Sequence, residues 1–326
     1  MAISRVCVIG AGTIGSLFAG HLAGVCEVSV LTRRPGHAAL LREQGLRVSG
    51  KHELHASVFA TAQPTELPQF DVGIIACKAL DLELIASRLA DQAGGSAMMT
   101  VQNGLGAEAV VAGHGSWPII SAVTFMSGIH HSDVHVEYEL DTATWMGPWA
   151  QTATPYELVE ELAALMASAG LEVEAMPDLL PAQWSKLIFN SAINTVAALT
   201  ELPHVARFAQ EREFGDLGRR VHGLIDEGGA VASAAGVALH DDPWEMNVLA
   251  VARGETGQSD YAHLPSMLED VLARRATEVE FITGALVREA ARLEVEVPLS
   301  TAMYRLVRAR EASWEPRGAA GAAAVS

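Results

Sequence analysis

Cysteine is scarce in this chain: Cys7, Cys26 and Cys77 are the only three, and no two of them have CxxC spacing. That argues against a disulfide framework and a thiolate zinc site, and makes a reducing cytoplasm the expected compartment. Positive charge is short as well, with 22 Lys and Arg against 39 Asp and Glu and a formal net charge of −17. Phosphate backbones and acidic lipids would repel such a protein, so neither nucleic acid nor membrane is an expected partner. Long apolar runs are missing: His21 and Glu27 interrupt the first one before it reaches about 20 residues. No basic n-region and no small-residue cleavage site mark a signal peptide. There is no internal repeat and no Ser-His-Asp arrangement. His131 and His135 are four apart beside His130, but the alternation around them reads as β. That spreads them along a strand or onto opposite faces, and no metal is expected.

With 326 residues, half of them hydrophobic and 19% charged, the composition is that of a globular protein long enough for two domains. The first half alternates short apolar strands (Val6–Ile9, Glu27–Leu31, Asp71–Cys77, Ala97–Val101, Ile119–Thr124) with helical stretches such as Leu80–Leu89. Such alternation implies a parallel sheet with helices on both faces. Val134–Tyr138 and Thr142–Met146 read as an antiparallel pair, Pro155–Ser168 as a helix and Leu171–Ala175 as an edge strand. Met176-Pro177-Asp178 is the expected boundary, and from Pro181 to about Arg310 the pattern is helical. The expected class is α/β: a Rossmann-type dinucleotide-binding domain over 1–177, then an all-α substrate and catalytic domain over 178–326. The latter ends in a low-complexity Ala/Gly tail from Gly318, expected to fray.

Val6–Ile9 runs into Gly10-Ala11-Gly12-Thr13-Ile14-Gly15 and then a helix-like segment, the context that gives a G-x-G-x-x-G turn its meaning. Gly10 permits the turn, Gly12 lets backbone approach a pyrophosphate, and Gly15 lets helix and strand pack closely. The helix N-terminus attracts the phosphate charge. At the end of the second strand, where an NAD site places Asp or Glu, stand Thr32, Arg33 and Arg34. A guanidinium pairs with a 2′-phosphate that a carboxylate would repel, so NADP(H) is the expected cofactor and Arg33 its anchor.

Lys186-Leu187-Ile188-Phe189-Asn190-Ser191-Ala192-Ile193-Asn194 places one ammonium and two carboxamides four residues apart, on one helix face. They can donate several hydrogen bonds to a small oxygen-rich molecule, or simply face water. Lys78 and Asn103 each follow a predicted strand at the edge where open α/β sheets bind ligands, although Asn103-Gly104 is also a common turn. Ser266–Glu269 and Thr277–Glu280 match the S/T-x-x-E capping box, so helices are expected to start at both. Glu278 then falls in a first turn, where the dipole favours its ionised form.

Taken in order, G-x-G-x-x-G, N-G-x-G at Asn103–Gly106, W-x-K-L-x-x-N at Trp184–Asn190 and Thr277–Gly284 resemble the ketopantoate reductase family, from Val6 to about Arg310. The resemblance implies Lys186 as proton donor to a keto oxygen, with Glu278 as the second catalytic residue. It implies Asn190, Asn194 and Ser266 as substrate ligands, and Asn103 touching both substrate and cofactor. Lys78, Gly128 and Glu278 are assigned to the dinucleotide. It further implies a 2-oxo acid, 2-dehydropantoate, as substrate and NADPH as cofactor; the sequence leaves the oligomeric state open, with a homodimer among the candidates. Departures are the Gly128–Glu139 stretch, which lacks a glycine-rich hairpin, Arg275-Ala276 in place of Arg-Pro, and His204 where some members carry asparagine. Rivals are a family-related reductase of another 2-oxo acid or ketone, a β-hydroxyacid dehydrogenase and a non-catalytic NADP-binding sensor. The dehydrogenase should show a P-V-S-G-G-like segment, absent here, and a sensor has no use for Lys186 and Glu278.

Overall fold

The computed structural model describes residues 3–140, 142–212, 215–256 and 264–314, so the Ala/Gly tail lies outside the described residues. They form two compact units, one of residues 3–102 with 106–179 and the other of 103–105 with 180 onward.

The first unit runs β1 (Arg5–Ile9), α1 (Thr13–Leu22), β2 (Glu27–Leu31), α2 (Pro35–Gln44), β3 (Leu46–Gly50), β4 (Leu54–Ala56), β5 (Phe59–Thr61) and β6 (Val72–Ile75). It continues with α3 (Leu82–Leu89), β7 (Ala97–Thr100), α4 (Ala107–Ala112), β8 (Ile119–Thr124), β9 (Ser127–Ser132), β10 (His135–Leu140), β11 (Thr144–Pro148), α5 (Tyr156–Ser168) and β12 (Val173–Ala175). Eight strands make one sheet in the order β12-β11-β8-β7-β6-β1-β2-β5. Within it β11 is antiparallel to β8, and the other pairs are parallel. The inner strands β6, β7 and β8 are buried along their whole length, because both faces of the sheet are covered there. Register aligns Ile9 with Leu31 and Ile75, and Ile75 with Thr100, so the carboxyl ends of β1, β2, β6 and β7 share one edge. Leu17, Phe18 and Leu22 of α1 are fully buried in a core that also holds Val6, Val8 and Ile74 of this sheet.

A second sheet, β4-β3-β10-β9, was not expected. It corrects the antiparallel pairing of Val134–Tyr138 with Thr142–Met146: β10 pairs with β9 and β3, whereas β11 pairs with β8 and β12. Alternation identifies a strand but not its partner; Val136 and Tyr138 choose theirs by burying beside Val48 and the apolar side of α1. The turn folds His131 over His135, rings stacked with centroids 4.8 Å apart, instead of spreading them along one strand. Each has its own partner, Glu137 at 2.7 Å and Ser49 at 2.8 Å.

The second unit is helical: α6 (Leu180–Thr200), α7 (Asp216–Ala234), α8 (Pro243–Thr256), α9 (Ser266–Leu272), α10 (Thr283–Arg292) and α11 (Pro298–Ala312). Among the described residues it contains no strand, and no helix of the described chain is long and apolar enough to cross a membrane. Its core is built on α6, where Trp184, Leu187, Ile188, Ile193 and Val196 are buried against α7, α9 and α10. Each such side chain contributes about 1.5–3 kcal/mol of transfer free energy, enough to carry the polar residues between them into the interior.

Candidate active site

In the first unit the glycine turn joins β1 to α1 at the shared strand edge. The Gly10 amide donates to the Leu31 carbonyl at 2.9 Å, and Gly10 takes φ +104°. Gly15 is there because helix and strand nearly touch: a Cβ on it would stand 1.9 Å from the Gly10 carbonyl oxygen. Gly12 is the helix N-cap, without a side-chain capping bond, and a Cβ on it would meet nothing within 4 Å. Open space thus lies before a helix N-terminus, a cradle that fits a dinucleotide's phosphates. Thr13 opens α1, flanked by half-buried Ala11 and Ile14. Gly128, in β9, packs against this turn, since a Cβ on it would lie 3.2 Å from the Thr13 methyl.

Arg33 and Arg34 are not equivalent. Arg34 is paired with Asp133, while the Arg33 side chain is 82% exposed and its nearest carboxylate, Asp81, is 3.9 Å away. Thr32 is buried, its hydroxyl donating to the Arg34 carbonyl at 3.0 Å. Lys78 follows β6 and is exposed. Gln102 was missed in the sequence: its carboxamide nitrogen Nε2 donates to the carbonyls of Ile75 at 2.7 Å and Cys77 at 3.0 Å, tying the chain beyond β7 to β6. A glutamine after a strand end carries no spacing signal that would reveal this.

In the second unit Lys186, Asn190 and Asn194 stand on α6. Asn190 and Asn194 are buried, so the stripe is not a solvated face. Lys186 is only partly exposed; burial pushes its ammonium down to about 8, while Glu278 pulls the other way. The Asn190 carboxamide donates to Asn103 Oδ1 at 3.4 Å. Asn103 is held there by its neighbours. Gly104, at φ +101°, lies so close to Phe281 that a Cβ would stand 1.9 Å from the Phe281 carbonyl oxygen, and the Leu105 amide donates to that same oxygen at 3.1 Å. The segment Asn103–Leu105 therefore docks on the Glu278 turn. Asn103, Lys186, Asn190 and Glu278 are thereby gathered in one unit. Ser266 is half-buried at the start of α9, which packs on α6.

A helix does start at Ser266 as expected, but neither motif caps a helix in the expected way. Pro265, not Ser266, occupies the α9 N-cap, with no side-chain capping bond. α10 begins at Thr283, so Glu278 lies in a turn before it, and helix-dipole stabilisation does not apply. The local pattern is present and the Thr277 hydroxyl still accepts from the Val279 amide, but the reciprocal bond is missing: the Thr277 amide donates to Glu311 rather than Glu280, which accepts from Tyr304 and Arg308. His204 is buried, its Nε2 2.8 Å from Asn247 Oδ1. Among the described residues, no group of three or more His, Cys, Asp or Glu is placed to hold a metal ion.

Comparison with known proteins identifies the family. Residues 6–151 match the profile described as ketopantoate reductase PanE/ApbA, and residues 178–311 match its C-terminal profile. The chain belongs to the ketopantoate reductase family. It is accordingly an oxidoreductase acting on a CH–OH group. A 2-dehydropantoate 2-reductase of Pyrococcus abyssi is 27% identical over 309 residues, covering 94% of this chain and 98% of the relative. The crystal structure of a PanE/ApbA family ketopantoate reductase from Ralstonia eutropha JMP134 superposes with a TM-score of 0.81 at 26% identity, covering 95% of this chain and 99% of that one. D-mandelate dehydrogenase, solved with NADH and anilino(oxo)acetate, has the same fold: TM-score 0.83 at 20% identity, covering 95% and 99%.

Proposed function

We propose that this chain reduces 2-dehydropantoate to pantoate, with NADPH as reductant and Lys186 as proton donor. The observation that carries this reading is the desolvated Lys186 ammonium beside Glu278, on the same helix face as two buried carboxamides. The name borne by the Pyrococcus abyssi relative supports the substrate. When bound, the reduced nicotinamide supplies a hydride to the keto carbon. The keto oxygen then gains negative charge and needs both a proton and a nearby cation. Lys186 provides both, help worth about 10²–10⁴-fold in a well-placed general acid. A donor near 8 is largely protonated at neutral pH yet gives up its proton more readily than an exposed lysine. Asn103, Asn190, Asn194 and Ser266 offer neutral donors and acceptors to a carboxylate and a further hydroxyl. Gly10, Gly12, Gly15, Lys78 and Gly128 would hold the dinucleotide.

The cofactor assignment rests on Arg33, exposed at the end of β2 with no carboxylate at Thr32. NADPH should be clearly preferred over NADH, and Arg33→Ala should raise KM for NADPH far more than for NADH. Equal kcat/KM for the two cofactors in the unaltered protein would reject this assignment.

The substrate is tested by following NADPH absorbance over a panel of 2-oxo acids. A site built to hydrogen-bond a hydroxyl leaves its own polar groups unpaired when that hydroxyl is missing. 2-Dehydropantoate should therefore exceed 3,3-dimethyl-2-oxobutanoate by at least about tenfold in kcat/KM, a floor well below the largest ratios of this kind. The buried His204–Asn247 pair favours one second reading, a different 2-oxo acid reduced by the same chemistry. A better rate with the deoxy compound or an unrelated ketone would select it.

A further inference from the structure

We infer that Glu311, on α11, is a positioning residue: by holding Thr277 it fixes the turn that presents Glu278 to Lys186. The inference rests on the roles proposed above for Lys186 and Glu278.

The Glu278 turn is not part of a helix and must be held by other means. Its exit is secured locally. The amides of Phe281 and Ile282 donate to the Glu278 carbonyl at 3.0 and 3.1 Å, and the Gly284 amide donates to the Val279 carbonyl at 2.8 Å. Its entry is tied further back, where the Arg274 and Arg275 amides donate to the Val271 and Asp270 carbonyls at 3.0 and 2.8 Å and the Arg275 guanidinium pairs with Asp270. The chain arrives through exposed Arg274, Arg275 and Ala276, with Arg274 at φ +51°, and turns inward at buried Thr277. There Glu311 Oε1 accepts from the Thr277 amide at 2.7 Å and from its hydroxyl at 2.6 Å. The same hydroxyl oxygen accepts from the Val279 amide at 3.2 Å, so it spans Glu278 from one side to the other. Two bonds to one carboxylate oxygen are charge-assisted and stronger than neutral ones.

The placement of Glu311 argues that this is its purpose. It lies in the last turn of α11, where the helix dipole disfavours a carboxylate, so the dipole gives no reason for its presence there. Its side chain is only 18% exposed, so water competes weakly for those bonds. Arg308 Nε lies 3.9 Å from its other oxygen. α11 also grips the far side of the turn: Glu280 accepts from Tyr304 at 2.6 Å and from Arg308 at 2.7 Å. Those groups are more exposed, and contribute less. Glu278 thus stands between two residues tied to one helix. Glu278 is also the charged group that acts on the Lys186 ammonium, so a loosened turn reaches the proton donor.

The test is a double-mutant cycle on the full chain, read by kcat, KM and the pH dependence of kcat. Glu311→Ala should lower kcat by about tenfold or more, since misplacement by about 1 Å can cost about a hundredfold. KM for the 2-oxo acid should change less. The alkaline limb should move to lower pH, because the influence that raises the Lys186 pKa is weakened. Glu311→Gln, which keeps an acceptor oxygen, should recover most of the rate, and Thr277→Val should reproduce the loss from the other partner. In a Glu278→Gln background, Glu311→Ala should add little, as groups acting through one another are non-additive. Additive losses, or an unmoved alkaline limb with a lowered melting temperature, would overturn the brace and leave Glu311 a stabilising contact only. A Glu278→Gln variant with unchanged kcat and pH limb would instead overturn the role of Glu278 on which the brace depends.

Discussion

Lys186→Ala should lower kcat at least about a hundredfold, the lower end of what a positioned general acid contributes. The loss should fall on kcat far more than on the KM for NADPH, because removing an interaction made only in the transition state lowers turnover itself. The glycine turn and Arg33, proposed to hold NADPH, belong to other elements, so NADPH binding should persist, which fluorescence titration can check. Nor should the fold suffer. Burial disfavours the Lys186 charge, its pKa being pushed from the ordinary lysine value down to about 8. Below that pH the folded state carries an ammonium it solvates poorly, and taking it away relieves that penalty. Glu278 would lose its partner, which pulls the other way, so Lys186→Met, which keeps the apolar stem, is the companion variant. Both should melt within a few degrees of the unaltered protein. The pH profile makes an independent check. A proton donor must be protonated, so reduction should be fastest below about 8 and fall as pH rises through that value. Near-normal turnover in both variants would reduce Lys186 to a buried structural residue.

Much of the first unit is legible because its signals are local. A β-branched run followed by glycines at Gly10, Gly12 and Gly15 specifies strand, turn and helix within about a dozen residues, and needs no distant partner. The α6 stripe is legible for the same reason: four-residue spacing places Lys186, Asn190 and Asn194 on one face wherever the helix packs. What spacing could not say is that this face is buried, since that depends on α7, α9 and α10. The misread features all turn on long-range pairing. β10 reads as a strand, but its partners β3 and β9 are chosen by burial beside α1. Thr277–Glu280 has the residues of a capping box, yet α10 starts six residues after Thr277: Glu311, 34 positions away, accepts from the Thr277 amide that Glu280 would have taken, and Glu280 turns to Tyr304 and Arg308. Asn103 reads as one more Asn-Gly turn until Phe281 is brought against Gly104.

Gly104→Ala should disable the protein, whereas Gly106→Ala, two residues on, should be tolerated. The two glycines have nearly the same φ, +101° and +99°, so left-handed strain alone predicts similar damage of about 1–2 kcal/mol each. They differ in surroundings. A Cβ on Gly106 meets nothing within 4 Å, but on Gly104 it would stand 1.9 Å from the Phe281 carbonyl oxygen and 2.5 Å from its carbon. That obstacle is backbone and cannot rotate away, so Asn103–Leu105 or the Glu278 turn must shift, adding about 1–3 kcal/mol of overpacking. The shift also breaks the 3.1 Å bond from the Leu105 amide and pulls Asn103 from Asn190. Displacing a ligand by about 1 Å can cost about a hundredfold in rate, so kcat/KM for the 2-oxo acid should fall by that order in Gly104→Ala. Gly106→Ala should lose only what its modest strain removes, with a slightly lower melting temperature and nearly unchanged kcat. If the two variants instead lose activity in parallel, the close approach to Phe281 contributes nothing, and the Asn103 loop needs only its left-handed backbone.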